Sequence, residues 1–481
     1  DLESGRLTDE EAYRYIHSLW TMIENRRTTV NGRIIVGGKG RKHPKEADVF
    51  LHIAMKVAKN CRYVEPQFTL RFDKETSEEI WDEALDALGA GATYPTLYND
   101  DVNVPAVMYG MRVDEKTAEQ YVPFGCTEFV IQGQSTGTPN ICINLLKLLT
   151  IYMNDGIDPI DGKRKSGPVP LKKLEEYQTF EEFYDGYKAL LDYYLDLSVK
   201  AQYHSYEVMN QHVSFLFTSL LTDDCIARGK ALLDGGVRYL GGTNETYGNI
   251  NTSDSLWVIR DLVFNQKKYT LRQLNDAMLA NFNGYEALRK DCLNCDKYGN
   301  DLETADTMAN DLYEFVAKGV RNRGIAIGMQ YFLIVISNNQ LNTEWGNRTA
   351  ASPDGRLSCM YMNPANNPQG GANKSGPTAM LNSLAKFDAK YHGGSVQNIK
   401  FSPSMFNENR AVIKSLFKTY FAKGGCHLMV TVVDKGVLED AVEHPENYPD
   451  LIVRVSGFSA VFVDLSPNIQ QELLSRVLYD K

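Results

Sequence analysis

Cysteine and histidine are both scarce in this chain, eight of each in 481 residues. The cysteines, at 61, 126, 142, 225, 292, 295, 359 and 426, are too sparse for a disulfide framework and mostly sit between apolar residues, which fits a reducing cytoplasm. The single Cys-x-x-Cys, Cys292 and Cys295, has no second pair and no histidine at ligand spacing, and no His-x-x-x-His occurs, so the sequence supplies no metal motif. Positive charge is in deficit: 51 Lys and Arg against 61 Asp and Glu leave a net charge of −10. Nucleic acid and anionic lipid therefore find no basic field. Long apolar runs are missing too. The longest, "GIAIGMQYFLIVIS" (324–337), falls short of the ~20 residues a membrane span needs and reads as buried core. There is no internal repeat, no low-complexity linker and no charged and apolar leader. "DLESGRLTDEEAYRYIHSLW" begins instead on an amphipathic helix carrying Leu7, Tyr13, Ile16, Trp20 and Ile23, as though the chain starts inside a folded domain.

What the sequence does hold is an alternation of helical and extended segments. "TSEEIWDEALDAL" opens on a capping box from Thr76 to Glu79 and carries Ile80, Trp81, Ala84, Leu85 and Leu88 on one side. "QFTLRF" (67–72) alternates Phe68, Leu70 and Phe72, and "CHLMVTVVD" (426–434) is rich in β-branched residues. Helices alternating with strands predict an α/β fold, layered or closed into a barrel, in one domain over 1–481. Of two conspicuous loops, "DGKRKSGPVPLKKLEEY" (161–177) reads as basic and solvated. The other, "MNPANNPQGGANKSGPTAM" (362–380), is long and Asn, Gly and Pro-rich, and is read as a functional lid.

Two short stretches break the ordinary pattern. In "RVSGFSAVFVDLSP" (454–467), Gly457 interrupts a run in which Val453, Val455, Val461 and Val463 suit a half-buried strand, and a glycine there costs stability unless a bare backbone is needed. In "YVPFGCTEFVIQGQSTGTPNICINLLKLLTIYMNDG" (121–156), Cys126 and Glu128 lie among apolar residues. If that piece is extended, both project to one side, and the apolar setting raises the Glu128 pKa toward an acid/base range. Taken alone, inert packing of the cysteine is the simpler reading.

Together, "FGCTE" and "RVSGFSAVFVDLSP" resemble the paired active-site loops of the glycyl radical enzymes, the family of pyruvate formate-lyase and the glycerol and propanediol dehydratases. "YPTLYND" (94–100), "TDDCIARGKALLDGGVRY" (222–239), "SPDGR" (352–356), "KSGPTAMLNSLAKFD" (374–388) and "HPENYPDLIVRVSGF" (444–458) look like that family in the same order. The resemblance implies a ten-stranded barrel of two antiparallel five-stranded halves surrounded by helices, with 121–156 as the cysteine loop and its following helix and 444–481 as the glycyl radical loop and closing helix. Family members are longer at the N-terminus, so the resemblance also implies that the opening part of the fold is absent from this chain, which would be a fragment or one half of a split enzyme.

The same resemblance implies the chemistry. Gly457 would carry a stored backbone radical, installed by a radical S-adenosylmethionine activase, with no other bound cofactor. Cys126 would pass the radical to a small-molecule substrate, and Glu128 would take a proton from the group beside the substrate radical, so that an adjacent group leaves. That is a lyase reaction of the dehydratase type. An arylacetate-type decarboxylase, a pyruvate formate-lyase-like acyltransferase and a non-catalytic subunit are the alternatives, and a homodimer or a second chain are possible partners. Gly125 before Cys126 departs from the adjacent cysteines of pyruvate formate-lyase. Asn140 stands where glycerol-type dehydratases have a diol-binding aspartate, which argues against a simple glycerol or 1,2-propanediol substrate. Thr138 and Pro139 read as the cap and first turn of an apolar helix over 140–154, closed by Gly156, whose N-terminus would offer N–H groups to an anionic or oxygen-rich substrate. Thr138 and Asn140 are thus the candidate substrate-binding residues, or simply the caps of a core helix.

Overall fold

The computed structural model describes residues 1–26, 32–137, 140–337 and 340–480. Its strands follow the chain as β1 (Ile34–Gly37), β2 (Phe68–Phe72), β3 (Thr96–Asn99), β4 (Tyr121–Phe124), β5 (Glu128–Ile131), β6 (Ile141–Asn144) and β7 (Gly241–Tyr247). The second half adds β8 (Tyr331–Ile336), β9 (His392–Ser395), β10 (Asn398–Phe401), β11 (His427–Val432), β12 (Ile452–Arg454), β13 (Ser459–Val461) and β14 (Leu478–Tyr479). Helices fill most of the intervals, which makes the chain α/β as the alternation predicts. No helix among the described residues is long and apolar enough to cross a membrane.

β6, β7, β8 and β9 form a parallel sheet, and β7 and β8 are buried at every position. Strands covered on both faces read as continuous apolar runs. Hence "GIAIGMQYFLIVIS" divides between the end of the helix Glu303–Ala326 and the buried β8. A second sheet runs in the order β1-β2-β3-β11-β10-β14, parallel except at the antiparallel β3–β11 pair. The strands of these sheets thus divide as six and four rather than as two halves of five, with β14 added at the edge beyond β10 and no fifth strand on the β6–β9 sheet, and no pairing among the described residues closes the sheets on each other. The chain passes from β9 to β10 through Val396 and Gln397 alone, which joins the two sheets through the backbone.

Three local expectations change. The helix Glu78–Gly89 is capped by Ser77, whose Oγ accepts from Ile80 N, while Thr76 turns back to Asp73. The apolar helix starts late: 141–144 pair with β7 as a strand, which suits β-branched Ile141 and Ile143, and the helix Leu145–Met153 is capped by Asn144. Thr138 and Pro139 lie outside the described residues, and Gly156 closes the helix as expected, its N–H on Ile151 O. The stretch read as a lid, 362–380, is buried over Met362 to Asn367, while Gly371, Lys374, Ser375 and Thr378 are exposed. Asn363 exchanges hydrogen bonds with Asn251, and Asn367 holds the backbone of Asn398 through both ends of its amide. Amides that satisfy buried backbone groups in this way make 362–367 an interior wall.

A buried ion pair ties the six-stranded sheet to β4. Arg71 of β2 donates to the two Asp100 oxygens at 2.9 and 2.7 Å and to the carbonyl of Tyr121, whose phenol donates to Asp100 in turn. Asp100 is fully buried and Arg71 is 6% exposed. Asp100→Asn strands the guanidinium without a counter-charge, and the expected cost is ~3–5 kcal/mol, read from urea unfolding. A loss under ~1 kcal/mol, the scale of an exposed pair, would overturn this account of how the hairpin is anchored.

Candidate active site

β4 and β5 form an antiparallel hairpin with Phe124 opposite Glu128 and Gly125, Cys126 and Thr127 in the turn. Gly125 has φ +51°, and a side chain there would meet Glu128 Oε2 at 2.8 Å, because the carboxylate folds back over the turn. Cys126 and Glu128 are therefore brought together by a turn and not by the expected extended run. β12 and β13 make a second hairpin, so the segment around Gly457 is two strands and a tip rather than one interrupted strand. Val455, Ser456 and Phe458 around that tip are buried. The two tips touch. A Cβ on Gly457 would stand 2.5 Å from Cys126 Sγ and closer still to the cysteine's Cα and Cβ, so only glycine fits.

Cys126 is buried against Ala365, Val396 and Met429. Burial first, then the carboxylates of Glu128 and Glu245, push its thiol far above the usual range, which holds it as S–H. Glu128 is 4% exposed, and burial, reinforced by Glu245, raises its pKa to about 7. Its Oε2 accepts from Thr127 N at 2.9 Å and its Oε1 from Asn140 Nδ2 at 3.2 Å. The same amide donates to Glu245 Oε1 at 2.8 Å, while Asn140 Oδ1 accepts from the Thr243 hydroxyl. Glu245, on β7, also accepts from the Tyr247 phenol and the Ser337 hydroxyl. Asn140 thus bridges two buried carboxylates as a neutral donor, where an aspartate would add a third like charge. Arg33 reaches the turn separately, donating to Gly125 O and Thr69 Oγ1.

A family model described as pyruvate formate lyase-like matches residues 1–341, and one described as glycine radical matches residues 362–463. This chain belongs to the pyruvate formate lyase-like family of glycyl radical enzymes. Cys126 and Glu128 fall within the first match and Gly457 within the second. The trans-4-hydroxy-L-proline dehydratase of Clostridioides difficile is 28% identical over 493 residues, 99% of this chain and 62% of the relative. The (2S)-3-sulfopropanediol dehydratase of Klebsiella oxytoca is 27% identical over 502 residues, again 99% of this chain and 60% of the relative. Among solved structures, the glycerol-bound B12-independent glycerol dehydratase from Clostridium butyricum superposes with a TM-score of 0.89 at 28% identity, over 99% of this chain and 62% of that one. The chain therefore spans 60–62% of the length of these relatives. That share does not locate the remaining length, and the expected absence of the opening strands and helices draws no support from it.

Cys126, Glu128, Asn140 and Gly457, picked out from the sequence, meet at the two tips, whereas Thr138 lies outside the described residues. Asn140 caps no helix, because the helix begins at Leu145, so the anion preference argued from a helix end at 140 falls away. Glu245 was missed. Its signal is a lone acid in "GGTNETYG" (241–248), which reads as a turn-rich polar stretch until the pairing with β6 places it next to Asn140. Arg33 was missed for the same reason, since nothing local links it to Gly125.

Glu128 holds its proton more tightly in the folded chain, so its contribution to stability is whole below about pH 4.5 and is lost as pH rises through about 7. The urea midpoint of the wild-type chain should fall more steeply across that window than that of Glu128→Gln. Removing the like charge with Glu245→Gln should move the titration of Glu128 down by roughly one pH unit, as followed by the carbon-13 shift of its carboxyl. An unmoved titration would show that the two carboxylates are not coupled.

Proposed function

We propose that this chain carries the radical-handling core of a glycyl radical dehydratase. The observation that bears the reading is the contact of two buried hairpin tips, one glycine with no room for a side chain against one un-ionised cysteine. Without a Cβ, the Gly457 α-carbon flattens freely and its unpaired electron spreads over both flanking amides. The radical on Gly457 takes the hydrogen of Cys126 S–H, forming Cα–H and leaving the thiyl. That thiyl takes hydrogen from a substrate carbon bearing a hydroxyl. Glu128 accepts the hydroxyl proton, the neighbouring C–O bond breaks, and the departing oxygen leaves as water with the proton Glu128 returns. Hydrogen then goes back from Cys126 to the product carbon, and the thiyl so re-formed takes hydrogen from the Gly457 α-carbon, which restores the glycyl radical. Burial around both tips keeps competing reactions out.

The relatives named as dehydratases support elimination over acyl transfer, and the absence of a second cysteine beside Cys126 agrees with it. In this reading 121–156 is the cysteine loop with its helix, and 444–481 is the glycyl loop closed by the helix Pro467–Ser475. The strands of the two sheets are the staves of the family barrel, and a radical S-adenosylmethionine activase is the partner that installs the radical.

Anaerobic treatment with such an activase and a reductant should give a glycine-centred doublet in electron paramagnetic resonance. Gly457→Ala should abolish it, and a persistent doublet of the same shape would overturn the assignment. Cys126→Ala should keep the doublet and lose all turnover of trans-4-hydroxy-L-proline, (2S)-3-sulfopropanediol or glycerol, whichever the activated wild-type protein converts. Release of carbon dioxide instead of water would replace dehydration with decarboxylation, and a doublet with no turnover of any kind would favour a non-catalytic chain.

A further inference from the structure

The helices Pro44–Cys61 and Glu78–Gly89 carry the chain from β1 to β2 and from β2 to β3. Those three strands are parallel, and crossovers of one hand put successive helices on the same face of a sheet. The two helices therefore pack side by side. Leu51, Met55 and Ala58 of the first and Ile80, Ala84 and Leu88 of the second are buried, which leaves polar residues along the outer seam between them.

On that seam His52 of the first helix meets Glu79 and Glu83 of the second. The two glutamates stand one turn apart on one helix face, where like charges repel. His52 Nδ1 lies 2.8 Å from Glu83 Oε2, and both side chains are 33% exposed. Glu79 is exposed and forms no hydrogen bond or ion pair among the described residues. The lysines of the same surface are engaged elsewhere, Lys59 on Asp86 and Lys414 and Lys418 on Glu78. One ligand atom from each of His52, Glu79 and Glu83 lies within 4.8 Å of the other two, and no other group of three His, Cys, Asp or Glu among the described residues comes so close.

Ligand atoms on one tetrahedral ion stand about 3.4 Å apart. The His52–Glu83 pair is already inside that spacing, and rotation of the unengaged Glu79 side chain closes the remainder. A protonated imidazole balances one carboxylate and leaves the other. A divalent ion balances both and takes the neutral imidazole as its third ligand. His52 and Glu83 also line a cleft of about 490 Å³ together with Tyr13, Lys56 and Asp86, which leaves a fourth position open to water.

We propose that His52, Glu79 and Glu83 bind a first-row divalent metal ion, zinc being the one that a nitrogen and two carboxylate oxygens suit, and that the ion fastens the two crossover helices together. The site is independent of the dehydratase reading, since none of its residues belongs to either hairpin. An ion bound only by the folded arrangement adds its binding free energy to the stability of the fold.

Calorimetric titration of the full chain with zinc tests the site. His52→Gln and Glu79→Gln should each weaken binding at least about tenfold. Glu79 has no partner to lose, so its variant should keep the wild-type circular dichroism. Cobalt in place of zinc should show ligand-field absorption without a thiolate charge-transfer band, which separates this site from the eight cysteines. Saturating zinc should raise the thermal midpoint of the wild-type chain by about 3 °C and leave that of Glu79→Gln unmoved. No zinc binding, an affinity unchanged in either variant, or a thiolate band overturns the site. Calcium or magnesium binding as tightly as zinc overturns it too, because a histidine nitrogen favours zinc over ions that prefer oxygen. A midpoint that zinc does not raise overturns the fastening of the helices.

Discussion

Where the tips of the β4–β5 and β12–β13 hairpins meet, the Gly457 backbone lies against Cys126 with no space for even a methyl group, and the surrounding structure is arranged to hold that contact. Two turns with few hydrogen bonds of their own cannot keep such a fit unaided. The cysteine hairpin is anchored from one side by Arg71, which spans Asp100 and the Tyr121 carbonyl, and from the other by Gly394 of β9. Gly394 has φ +139°, and a Cβ there would stand 2.6 Å from Thr127 Oγ1, so its bareness lets the turn settle onto the four-stranded sheet. The glycyl hairpin is held by Arg476, which donates to the carbonyls of Arg454 and Val455 while paired with Glu472.

Burial then sets the chemistry at the contact. Exclusion of water keeps the Cys126 thiol protonated and raises the Glu128 pKa to about 7. A second carboxylate so close would be unstable if nothing mediated between the two. Asn140 is that mediator, one amide donating to both, and its neutrality is the property that matters.

The α/β class and the burial of "GIAIGMQYFLIVIS" were legible along the chain, and the resemblance of two loops to one family paired Cys126 and Glu128 with Gly457. Helical and strand periodicity are local, and the two loops keep their residue order whatever surrounds them. Local signals also failed where they competed. Ser77 and Thr76 are equally good caps by type, and only the backbone conformation selects one. The segment after Pro139 has helix-forming leucines but opens on isoleucines that a neighbouring strand could claim, and β7 claims them. The Asn-rich 362–380 looked like a surface loop because side-chain amides serve solvent and buried backbone equally well.

Residue types and their order therefore marked out a cysteine and a carboxylate in one short loop and a glycine inside an apolar run, and only the resemblance of the two loops to the glycyl radical enzymes paired them. Tertiary structure alone decided that the cysteine and glycine touch tip to tip, that Glu245 shares Asn140 with Glu128, and that Arg33 reaches the cysteine turn. These groups are separated by up to hundreds of residues. Proximity across such separations is set by strand pairing and packing, which leave no periodic trace in the intervening sequence.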